Sequence, residues 1–106
     1  MRVGLFFLGV VMKVYISGAI TGNKHYKRQF KKAERKLKKR GFDVFNPCIV
    51  PNIFTYAEFM KIDLMALECC DLIYMLKGWT SSRGAKMELQ RARELNKIIE
   101  FEELTK

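Results

Sequence analysis

Four short apolar runs divide the chain, and between them the hydrophobic residues change to helical spacing. Val14–Ser17, Phe42–Phe45, Leu72–Leu76 and Lys97–Phe101 are bounded by charged or turn-forming residues, as short buried strands are. After the first run, Tyr26, Phe30, Ala33 and Leu37 fall at i, i+4, i+7 and i+11 and predict a helix that Gly41 ends. A loop marked by Asn46-Pro47 and Pro51-Asn52 leads to Thr55, with Glu58 three residues on, a reciprocal capping pair. The stripe that follows is Tyr56, Phe59, Met60, Asp63, Leu64 and Leu67. A third helix is predicted from Ser82 onward, its inward stripe formed by Ala85, Glu88, Leu89, Ala92 and Leu95. Strand and helix alternate without repeats. That order predicts one α/β domain of Rossmann-like or flavodoxin-like type, with about four parallel strands and helices on both faces.

Two carboxylates break the apolar stripes. Asp63 and Glu88 each lie on the face of a helix that should pack inward, where a charge is costly unless something uses it. Asp71 differs, because it opens a strand, where a turn or cap role is common. Both inward carboxylates sit near loops of small residues, Gly18–Gly22 after the first strand and Gly78–Gly84 after the third. In open α/β sheets, ligands bind beyond the carboxyl ends of the strands, against such loops and helix N-termini. Ser17, Gly18, Ile20 and Gly22 in the first loop, and Gly78, Trp79, Ser82 and Gly84 in the second, are the substrate-binding candidates. Tyr15 lies within the first strand, where a core aromatic with a satisfied hydroxyl is the plain reading. Two acids and a tyrosine suit cleavage at an anomeric carbon, where one carboxylate attacks or shields C1′ and another group assists the leaving base. The same pair could serve a hard metal, but no histidine accompanies it and such sites usually show more carboxylates. No metal or other cofactor is expected.

Length and charge narrow this further. At 106 residues the chain forms one domain with a modest core. The net charge of +9 resembles a nucleic-acid signal until it is located: Lys24–Arg40 holds ten Lys or Arg and one acid, and the remainder is balanced. Those cations cover the outer face of the first helix with no aromatic residues among them, which argues for a solvated surface over a polyanion site. His25, the one histidine, has no acid or thiol partner nearby and receives no role. Cys48, Cys69 and Cys70 show neither metal spacing nor an even count, so reduced thiols in a cytoplasmic protein are expected. Val3–Val11 is apolar but too short to span a bilayer and lacks a small-residue cleavage site. With Met12-Lys13 offering a second start, residues 1–11 read as an apolar extension and residues 12–106 as the domain.

The segments VYISGAITG, GFDVFNP, FMKIDLMALECCDLIYML and GWTSSRGAKMEL, in that order, resemble a family of small uncharacterised phage and bacterial proteins. More distantly they resemble the nucleoside 2-deoxyribosyltransferases and the 2′-deoxynucleoside 5′-phosphate N-hydrolases. The resemblance implies cleavage or transfer at the N-glycosidic bond of a 2′-deoxynucleoside or its 5′-monophosphate. It matches Glu88 to the nucleophile that takes the deoxyribosyl group, Asp63 to the carboxylate that assists base departure, and Tyr15 to the tyrosine that orients the nucleophile. Ser82 matches a position that is Asp in the transferases and Ser in the nucleotide hydrolases. Thr21 departs from the arginine of the hydrolases, and Arg83 is the candidate replacement cation. The resemblance also implies a homodimer or higher homo-oligomer. A different class of function keeps the same pocket without turnover, as a nucleotide-binding or sensing module.

Overall fold

The computed structural model describes residues 6–7 and 10–102. The expected extension over residues 1–11 falls largely outside them; within it, Phe6–Phe7 pairs antiparallel with Val10–Val11. The body of the chain is a parallel sheet of four strands: β1 (Lys13–Ser17), β2 (Asp43–Phe45), β3 (Leu72–Met75) and β4 (Ile98–Phe101), in the order β2-β1-β3-β4. Helices α1 (Tyr26–Lys39), α2 (Tyr56–Glu68) and α3 (Arg83–Glu94) make the three crossovers. This is the flavodoxin-like α/β arrangement expected from the alternation of elements, with helices on both faces.

The pleat sorts the core into two layers. Successive side chains of a strand point to opposite faces, so Val14 and Ile16 on β1 join Leu72 and Tyr74 on β3 under Phe30, Ala33 and Leu37 of α1. Tyr15 on β1 and Ile73 and Met75 on β3 face the other way, against Leu67 of α2 and Ala85, Leu89 and Ala92 of α3. Continuous apolar runs are what strands covered on both sides require. Ser17 shares the parity of Tyr15 and is buried with it.

Local chemistry sets the ends of the elements. Thr55 and Glu58 close the reciprocal capping box at the start of α2. The side chain of Ser82 caps α3 by accepting the Ala85 N–H at 3.1 Å. Asp71 accepts the Lys13 N–H at 2.8 Å and so ties the entry of β3 to that of β1. A bidentate Arg40–Glu100 ion pair, at 2.6 and 3.0 Å, joins the end of α1 to β4. Tyr56 departs from the expected stripe. It lies in the first turn of α2, beyond the sheet, and is 58% exposed. Among the described residues no helix is long and apolar enough to cross a membrane.

Candidate active site

Alternation along β1 places the hydroxyls of Tyr15 and Ser17 on one face, two residues apart, beneath α3. The buried stripe of α3 is Ala85, Glu88, Leu89 and Ala92, which packs against the face of the sheet that carries Tyr15. The Glu88 carboxylate is thereby met on both oxygens. Tyr15 donates from its hydroxyl to Oε2 at 2.7 Å, and Ser17 donates from Oγ to Oε1 at 2.6 Å. Short O–H···O⁻ contacts of this kind are charge-assisted and hold the acceptor firmly. The ring of Tyr15 stacks on Phe45 of β2, with centroids 5.6 Å apart, so the donor is itself fixed by packing.

Burial acts against that charge. Glu88 is 6% exposed, and desolvation raises its carboxyl from the ordinary 4.5 to about 7. The two hydrogen bonds pull in the opposite direction, while the negative field of Asp63 adds to the rise. Asp63, on the inner stripe of α2, is raised by burial from 3.8 to about 6. Its Oδ1 is buried without a hydrogen-bond partner. The Tyr15 hydroxyl is held well above its ordinary value by burial first, then by Glu88 and Asp63, so it remains a neutral donor. Burial thus raises two carboxyls toward neutrality in one cleft, a kind of shift that clusters at functional sites.

Both carboxylates and Tyr15 line one cavity of about 670 Å³ at the carboxyl edge of the sheet. That volume lies within the range of small-molecule pockets. Gly18, Ile20, Ser82 and Gly84 contribute to its wall. At Gly18 an added Cβ would stand 2.9 Å from Leu76, so a larger residue there would have to displace that side chain. At Gly84 it would stand 3.6 Å from the Tyr56 hydroxyl. Arg83 and Thr21 also line the cavity, and Arg83 is the one cationic side chain among its described lining residues.

Ser17, Gly22, Gly78 and Trp79 are not part of that wall. The hydroxyl of Ser17 is held by Glu88 instead. Gly78, at φ +91, starts the tight turn Trp79–Ser81, and the indole of Trp79 lies against Phe101 of β4 with centroids 5.8 Å apart. The structure adds lining residues that periodicity had assigned to core or loop. Tyr26 and Phe30 of α1, Pro47 and Phe54 of the segment before α2, and Tyr56 add apolar surface to the wall. A sequence signal was present: the stretch Pro47–Phe54 is too apolar for a plain solvent loop. Among the described residues, no group of three His, Cys, Asp or Glu side chains is placed to hold a metal ion.

A flavodoxin-like sheet with a buried carboxylate pair at its carboxyl edge defines the class: an α/β domain with a cavity at the switch point of its strand order. The chain belongs to the DUF4406 family, a domain of unknown function, whose model matches residues 12–101. Among solved structures it is similar to the CMP N-glycosidase BcmB of Clostridium botulinum, at 24% identity and a TM-score of 0.64. The match covers 84% of this chain and 69% of that one. At that identity the likeness is one of fold. No curated protein matches the chain.

Proposed function

We propose that this protein cleaves or transfers at the N-glycosidic bond of a 2′-deoxynucleoside or its 5′-monophosphate, with Glu88 as the attacking carboxylate. The observation that carries the reading is the state of Glu88: buried in the cavity wall, hydrogen-bonded on both oxygens, and beside a second carboxylate, Asp63, that has an unpartnered oxygen. A desolvated carboxylate in a cavity wall costs free energy to ionise, and attack at an anomeric carbon is a use for that charge. The similarly folded CMP N-glycosidase supports the reaction class.

In this reading an oxygen of Glu88 attacks C1′ as the C1′–N bond breaks, and the bonding pair leaves with the base. Asp63 delivers a proton to that base in this scheme, and its raised carboxyl keeps a protonated fraction near neutrality. Water, or the N–H nitrogen of a second base, then attacks C1′ from the opposite face, gives its proton back to Asp63 and displaces Glu88 as the carboxylate. Tyr15 keeps the carboxylate oriented through both steps. Arg83 and the Ser82-capped start of α3 are the groups suited to a 5′-phosphate.

The test is to incubate the protein with each deoxynucleoside, each 5′-monophosphate and CMP, and to look for free base by chromatography. Release from at least one substrate, lost in Glu88→Gln, is expected. Binding of nucleotide with no base released across the panel would refute the enzyme and leave a sensing module.

A further inference from the structure

Ser17 has the composition and place of a ligand-binding residue, at the mouth of a loop between β1 and the cavity, yet the cavity wall does not include it. It is 1% exposed, its carbonyl accepts the Leu76 N–H at 2.8 Å, and its hydroxyl reaches Glu88 Oε1 at 2.6 Å. Two residues earlier on the same strand face, Tyr15 holds Oε2. A carboxylate held on a single oxygen can swing about its last torsion; one held on both by a single strand cannot. We propose that Ser17 is a positioning residue for the nucleophile, its hydroxyl committed to Glu88 and not to the ligand, so that β1 alone orients both carboxylate oxygens. This rests on the reading of Glu88 as nucleophile given above.

The groups that bear on Glu88 are few. Tyr15 faces it from β1 and Asp63 acts on it from α2, while Arg83 and Cys48 share the cavity wall. Among the described residues, Tyr15 and Ser17 are the donors to its side chain, and each such bond favours the ionised form. Removing the Ser17 donor should therefore make Glu88 harder to ionise. A hydrogen bond to a charged group has the strength to move that titration upward by about one pH unit.

The experiment follows the Glu88 carboxyl directly by carbon-13 NMR in protein labelled at glutamate, its signal assigned by its loss in Glu88→Gln. Wild type, Ser17→Ala, Ser17→Cys and Ser17→Thr are compared. The Glu88 titration should rise by about one unit in Ser17→Ala. It should rise less in Ser17→Cys, whose thiol is a weak donor of similar size, and return toward wild type in Ser17→Thr, which keeps the hydroxyl. With a cleaved substrate, the acid limb of the kcat/KM profile should move by the same amount, and kcat should fall with KM little changed. An unmoved Glu88 titration in well-folded Ser17→Ala or Ser17→Cys overturns the proposal, as does a loss seen in KM alone. Because the titration needs no turnover, a shifted Glu88 in an inactive protein would confirm the hydrogen-bond role while refuting the nucleophile.

Discussion

Replacing Glu88 by Gln should make the folded protein more stable at alkaline pH. The carboxyl is almost wholly buried and is raised from the ordinary 4.5 to about 7. Its folded-state value thus lies above its unfolded one, so the stabilisation from holding the proton is complete below pH 4.5. It is lost as pH rises through about 7. At pH 8 the ionised group costs the native state about 3 kcal/mol, from the separation of the two values at ~1.4 kcal/mol per pH unit. At pH 5 the cost is under ~1 kcal/mol, because the folded form still holds its proton.

Gln has nearly the same shape and no charge, so it removes this pH dependence. Its amide cannot accept from both Tyr15 and Ser17, but either hydroxyl can rotate and accept from the amide N–H instead. Any misfit left over is an offset equal at both pH values. Denaturant unfolding of both proteins at pH 5 and pH 8 should show Glu88→Gln gaining about 2–3 kcal/mol on wild type between the two conditions. For a domain of this size, the matching change in Tm is on the order of 10 °C. A gap between the proteins that does not change with pH would refute the reasoning, since Glu88 would then ionise as freely folded as unfolded. The same substitution should abolish base release, which would make Glu88 a residue that costs stability to hold a reactive charge.

Other consequences are more local. Asp63→Asn should slow base release, least for substrates whose base leaves easily, as a series of leaving groups would show in kcat. A 2-fluoro-2-deoxyribosyl substrate should leave added mass on the peptide that contains Glu88, visible by mass spectrometry, and no adduct there would argue against the covalent step. Gly18→Ala should cost about 1–3 kcal/mol in unfolding free energy, because the new methyl stands 2.9 Å from Leu76. Replacing Lys31, Lys32, Lys38 and Lys39 together by Gln should leave nucleotide Kd within about tenfold of wild type by calorimetry, since the cavity wall contains none of them.

The fold was legible because its signals are local and repeated. The parity of Val14, Tyr15, Ile16 and Ser17 assigns each residue to a sheet face without knowledge of the partners, and the stripe containing Phe30, Ala33 and Leu37 does the same for α1. An acid in such a stripe is also visible, so Asp63 and Glu88 stood out as candidates, and the structure brings both into one cavity with Tyr15. What the pattern did not hold was the phase of one element against another. Ser17 looks the same in sequence whether its hydroxyl faces a ligand or Glu88; the outcome depends on how far α3 is rotated over β1, which packing of Ala85 and Leu89 decides. Trp79 sits in the loop that periodicity marks as a ligand loop, yet the turn begun at Gly78 lays its ring on Phe101, an aromatic partner 22 residues further along the chain. Tyr56 follows the helical stripe of α2 but precedes the sheet edge, so it meets the cavity instead of the core. In each case the residue type was informative about what the side chain needs, a partner for a hydroxyl or cover for a ring. Only the three-dimensional phase of neighbouring elements says which group meets that need. For Ser17 that difference separates a contact to the ligand from a hold on the nucleophile, and the Glu88 titration reads the two apart.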